Sequence, residues 1–82
     1  MNEEQVMSKV VEIVRPFVKN MDAMATITAK TSILDELKVN SARLVDIVLA
    51  FEDEFDIEVE DEAADRVATI GDATELVLAK ID

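Results

Sequence analysis

The stretch Asn40-Ser41-Ala42-Arg43-Leu44-Val45-Asp46-Ile47-Val48-Leu49-Ala50-Phe51-Glu52-Asp53-Glu54-Phe55 decides how this chain folds. Asn40 is a good N-cap, because its short side chain can accept from the unpaired N–H groups of a first helical turn. That places Ser41 at the first helical position. Leu44, Val45, Ile47, Val48, Leu49, Phe51 and Phe55 then make the helix apolar over a broad arc, and a helix of that kind is largely buried. Its exposed strip carries Asp46, Glu52, Asp53 and Glu54. The spacing predicts a central helix from about Ser41 to Phe55, against which the remaining segments must pack.

Working outward toward the N-terminus, Thr31 or Ser32 can cap a brief helical turn through Leu37, with Asp35 or Glu36 in its first turn. Residues 18–31 read as a long surface loop. Met21, Met24 and Ile27 are able to dip into the core, but Thr26, Thr28 and Thr31 are poor helix formers. Asn2 caps a first helix, with Gln5 reaching back as in a capping box. Val6, Val10, Ile13, Val14 and Phe17 recur at spacings of three and four, an amphipathic stripe. Pro16 lacks an N–H and disfavours the helical conformation at Arg15, so the helix is expected to end or kink there.

Toward the C-terminus, Phe55-Asp56-Ile57-Glu58-Val59-Glu60 alternates with period two. No second segment offers it a strand partner, so it reads as an extended loop with Ile57 and Val59 turned inward. Asp61 or Glu62 opens a short helix through about Val67. Thr69-Ile70-Gly71-Asp72 resembles a capping box with Asp in place of Glu, and Ile70, Ala73, Leu76, Val77 and Ile81 follow on one side of a last helix. The fold class expected is all-α: a four-helix bundle of three longer helices and one short one, a single domain over residues 1–82.

Composition narrows the function. Nineteen acidic against eight basic residues give a net charge of −11. Such a surface repels nucleic acid and anionic lipid and attracts basic protein patches. No apolar run is long enough to span a bilayer. The acidic run Asn2 to Gln5 does not resemble a secretory signal, so a cytoplasmic, monomeric protein without integral membrane association is expected. The chain has no His, Cys, Trp or Tyr and one glycine, so it lacks the commonest general base, the strongest nucleophile and a phosphate-cradling loop. That argues against an enzyme, although carboxylate pairs and lysines remain available, and no catalytic residue is assigned. The acid-rich run from Glu52 to Glu62 lacks the glycine and ligand spacing of a calcium loop, so no metal site is assigned either.

A serine at a helix N-terminus is most often a cap. Here Asn40 already supplies the cap, which leaves Ser41 free to face solvent. A phosphate ester at that place would meet the positive end of the helix dipole and unpaired N–H groups. Ser41 is thus a sensible anchor for a phosphate-linked group.

Leu37-Lys38-Val39-Asn40-Ser41-Ala42, the acidic helix Val45 to Phe55, the run Asp56 to Ala63, and Thr69-Ile70 together resemble an acyl carrier protein. The similarity covers roughly residues 31–78. The resemblance implies a 4′-phosphopantetheine arm on Ser41, attached by a separate phosphopantetheinyl transferase using coenzyme A. The thiol of that arm would carry acyl groups as thioesters to fatty-acid, lipid or related biosynthetic enzymes. Cysteine is then not needed, because the cofactor brings the sulfur.

Partners are expected to be acyl-loading and acyl-transfer enzymes with basic docking patches. By the resemblance they would meet Asp46, Glu52 and Asp53, with Asp56 and Glu58 beside them and Arg43 at the margin. An acyl-chain cleft is expected from Val45, Val48, Leu49 and Phe51 facing Ala64, Val67 and Ile70. Three departures lie near the serine: Asn40-Ser41-Ala42 stands where Asp-Ser-Leu is usual, Lys38 where glycine is usual, and Arg43 where an acid is common. They point to a specialised carrier. The alternatives are an aminoacyl or peptidyl carrier and, in another class, an unmodified acidic helical adaptor that binds basic proteins.

Overall fold

Capping chemistry sets the ends of the long helices. The computed structural model describes residues 2–81. In chain order the helices are α1 (Glu3–Val14), α2 (Leu44–Phe55), α3 (Asp61–Asp65) and α4 (Ile70–Lys80). Three 3-10 turns, Arg15–Phe17, Met21–Thr26 and Ser41–Arg43, lie in the connections. Among the described residues there is no strand, only an isolated antiparallel bridge between Ser32 and Thr69. Three longer helices and one short one are what the hydrophobic spacing predicts.

At the start of α1, Asn2 Oδ1 accepts from the Gln5 N–H at 2.8 Å, and Gln5 Oε1 accepts from the Asn2 N–H at 3.1 Å. Val6, Val10 and Val14 then lie on one buried stripe. α1 packs chiefly on α4 and also on α2, while α3 leans on α2. The core they enclose is built from these valines with Ile33, Leu37, Ile47, Phe51, Ile70, Ala73 and Val77. Phe51 is fully buried at its centre, and truncating such a side chain to alanine costs about 3–5 kcal/mol.

Several expectations need correction. The α-helix ends at Val14, just before Pro16, as expected, but Arg15 itself stays in the helical region at φ −46° and ψ −47°. The chain instead tightens into the 3-10 turn, whose early positions need no N–H from proline, and becomes extended only at Val18. The segment 18–31 is not a plain loop. Its middle is the 3-10 turn Met21–Thr26, and its ends are tied down. The N–H groups of Lys19 and Asn20 both donate to Leu37 O at 3.1 Å. Gly71 N–H donates to Ala29 O at 2.7 Å, Ile70 N–H to Thr31 O at 3.0 Å, and Ile33 N–H to Ala68 O at 3.0 Å.

This segment therefore satisfies the first two N–H groups of α4, and Thr69 Oγ1 satisfies the third by accepting from Asp72 N–H at 3.0 Å. Met24 and Ile27 pack on the core, whereas Met21 stays exposed. Residues 32–37 form a turn, not a helix. Ser32 and Glu36 cap it from both sides, but Glu36 and Leu37 both donate to Ser32 O, so the ladder does not propagate. α3 stops at Asp65, short of Val67, because Arg66 and Val67 donate to carbonyls only three residues back.

Candidate functional site

The central helix begins one step differently from its expected form. Asn40 is extended (φ −63°, ψ 129°), and its Oδ1 accepts from Ala42 N–H at 2.9 Å, so the predicted cap is in place. Residues 41–43 form a 3-10 turn, and α-helical bonding starts at Leu44. Ser41 is exposed at the first position of this turn. Among the described residues, neither its hydroxyl nor its N–H enters a hydrogen bond. The oxygen is thus free to be esterified. An attached phosphate would find one unpaired N–H and the positive end of fifteen helical residues beside it.

The backbone leading to Ser41 is held by the core on both sides. Leu37 and Val39 are buried, and Val39 N–H donates to Ile33 O at 3.2 Å. Between them Lys38 is forced into the left-handed region at φ 58°. Glycine enters that region without a steric cost, whereas lysine does not. The second residue of this kind is Asp56, at φ 54°, where α2 ends. Ile57 N–H reaches back to Glu52 O at 3.1 Å, closing the helix in a Schellman motif.

The acidic residues fall into two groups. Asp46 and Glu52 are engaged within the chain. Arg43 Nη1 meets Asp46 Oδ2 at 3.0 Å, and both side chains remain well exposed. Glu52 Oε2 accepts from Val59 N–H at 2.9 Å, which clamps the loop between α2 and α3 to the helix. Asp53, Asp56 and Glu58 are exposed and take no part in a described ion pair. Elsewhere on the surface, Glu54 pairs with Lys9 at 3.1 Å, joining α2 to α1 and holding the lysine above its usual range. Lys80 pairs with Glu60 at 2.8 Å and holds that carboxyl below its usual range. No three His, Cys, Asp or Glu side chains converge on a metal position among the described residues.

Of the seven residues expected to line an acyl cleft, Phe51, Val67 and Ile70 share the core, whereas Val45 and Leu49 turn away from it. Leu44, Ile47, Val48, Phe51 and Phe55 form the inner face of α2, at spacings of three and four. Val45 and Leu49 lie off that stripe and face outward, 65% and 56% exposed. Phe51 and Ile70 are sealed in the core, Val48 and Val67 lie at its edge, and Ala64 is half-buried. Counting the inward spacing strictly would have separated Val45 and Leu49 from the core positions. The internal role of Glu52 carries no such sequence signal.

The described geometry can be set beside known proteins. The family model described as the phosphopantetheine attachment site matches residues 8–77. The chain is 42% identical over 76 residues to the acyl carrier protein of Caulobacter vibrioides, covering 90% of this chain and 97% of the relative. It is also 42% identical over 77 residues to that of Phenylobacterium zucineum, covering 92% and 98%. Among solved structures, the acyl carrier protein from Enterococcus faecalis superposes with a TM-score of 0.76 at 31% identity, over 96% of this chain and 98% of that one. These likenesses favour neither an unmodified adaptor nor an aminoacyl carrier.

Proposed function

This chain belongs to the acyl carrier protein family, and on that premise we propose that Ser41 is the residue that bears its 4′-phosphopantetheine arm. The protein's function is to carry acyl groups on that arm, whose thiol holds them as thioesters. One observation supports Ser41 above all. Its hydroxyl is exposed and unbonded at a helix start where Asn40 already does the capping. The chain itself contributes no acid–base chemistry and acts by positioning its cargo before separate cytoplasmic enzymes.

The docking face runs along the outside of α2. Asp53, Asp56 and Glu58 are its available acids, and weak, salt-sensitive encounters with basic patches are what such charges give. Asp46 contributes less because Arg43 covers it, and Glu52 less because it holds the loop. Val45 and Leu49, one and two helical turns beyond Ser41, supply the apolar contact of this face instead of lining a cleft. Cargo enters by parting α2 from α3 at Val48, Ala64 and Val67, the edge of the core, while Phe51 and Ile70 form its floor.

Incubation with coenzyme A and a phosphopantetheinyl transferase, followed by mass spectrometry, tests the attachment. A mass gain of one arm, abolished in Ser41→Ala, is expected. An arm that still attaches to the alanine variant would reject Ser41. For the cargo site, loading a fatty acyl group shifts the Val48 and Val67 amide resonances relative to the unloaded form, and identical spectra at both would reject the α2–α3 entry.

A further inference from the structure

α3 is a helix with little hold of its own. It has five residues, none of them fully buried, and its N-cap, Glu60, makes no side-chain bond to it. A helix this short depends on what it is tied to. Its C-terminal end is anchored. Val67, just beyond it, is buried, and Ala68 donates to Asp72 Oδ2 at 3.1 Å and accepts from Ile33 N–H at 3.0 Å. Its N-terminal end is held by two side chains that act on consecutive residues. Glu52, on α2, accepts from Val59 N–H at 2.9 Å. Lys80, in the last turn of α4, donates to both carboxylate oxygens of Glu60, at 2.8 and 3.0 Å. One clamp thus comes from α2 and the other from α4.

Resting on the entry of cargo between α2 and α3, we propose that Glu52 and Lys80 are positioning residues that set which acyl chains enter. Both clamps belong to the closed form. Lifting the N-terminal end of α3 about Val67 and Ala68 breaks both, so cargo is admitted only when its burial offsets their loss. A part-buried hydrogen bond favours closure about three- to tenfold, and an exposed ion pair about twofold. A buried methylene favours entry about fourfold. The clamps together therefore lengthen the shortest chain that enters by about one to two methylenes. For this role Glu52 needs an acceptor oxygen at Val59, not its charge.

The last point separates the clamp from a docking acid. The arm is loaded from acyl coenzyme A by a phosphopantetheinyl transferase, with saturated acyl groups of increasing length that end in a trifluoromethyl group. The fluorine NMR shift, referenced to the same group on free pantetheine, gives the fraction of tails that are buried. Glu52→Ala is expected to raise the ratio of buried to exposed tails about three- to tenfold, and Lys80→Met about twofold. Glu52→Gln keeps an acceptor for Val59 N–H and should stay close to wild type. The double variant Glu52→Ala, Lys80→Met should bury a chain about one to two methylenes shorter to the same extent as wild type. Circular dichroism checks that the helices persist.

If Glu52→Gln moves with Glu52→Ala, or if neither Glu52→Ala nor Lys80→Met changes the buried fraction while wild type shelters its tail, the clamps are rejected and the entry between α2 and α3 stands. If every chain length stays exposed in every variant, the entry is rejected and the clamps with it.

Discussion

Lys38 sits at φ 58° between two buried anchors, Leu37 and Val39. For an L-residue with no compensating side-chain bond, the left-handed region costs about 1–2 kcal/mol, whereas glycine enters it freely. Replacing Lys38 by glycine removes that cost. The more flexible unfolded chain offsets about 0.5–1 kcal/mol of the gain. A net stabilisation of about 0.5–1 kcal/mol follows, which for a domain of this size raises the melting temperature by about 2–8 °C.

Lys38→Ala is the control. Both variants lose one positive charge, taking the net charge from −11 to −12, so electrostatics cancel in the comparison. At an ordinary helical or extended position alanine is the more stable of the two, and here glycine must be. Thermal denaturation followed by circular dichroism, with urea titration at 25 °C, gives the difference. A glycine variant no more stable than the alanine variant would refute the strain at this position.

Gly71→Ala should destabilise by about 1–2 kcal/mol despite alanine's better helix propensity, because its Cβ would stand 2.7 Å from Ala29 O, a backbone atom; thermal melts and loss of exchange protection at the Gly71 amide would show it. Glu52→Ala should cost about 1 kcal/mol and speed hydrogen exchange at Val59, whose N–H loses its acceptor, while Glu52→Gln retains most of the protection. Lys80→Met should bring the Glu60 carboxyl back up from its lowered value, since the Lys80 hydrogen bond is the main cause of the depression. The sign follows from linkage: that ion pair adds stability above the ordinary glutamate range and loses it as pH falls through the lowered value, so carboxyl NMR titration should find the wild-type midpoint below the variant's. Finally, raising NaCl from low to about 0.5 M should raise the melting temperature by screening a net charge of −11, and a melting point indifferent to salt would contradict self-repulsion as a significant strain on the fold.

Apolar periodicity and capping were enough, without coordinates, to identify the helices. Val6, Val10 and Val14 mark α1, the inner face from Leu44 to Phe55 marks α2, and the reciprocal boxes at Asn2 and Thr69 mark two starts. They are local: a cap and a stripe act within one or two turns, so they are legible in one dimension. The cap at Asn40 and the free serine after it were legible for the same reason.

What only the tertiary structure decided are features in which distant segments meet. The bonds from Gly71 and Ile70 to Ala29 and Thr31 turn an apparent loop into part of the framework. Glu52 gives its carboxylate to Val59, and Val45 and Leu49 face outward because the bundle takes only one side of their helix. Lys38 is left-handed because two core residues on either side of it pull the chain into that shape. Sequence spacing records which residues prefer burial, but it does not record which backbone groups or charges become neighbours once the core closes.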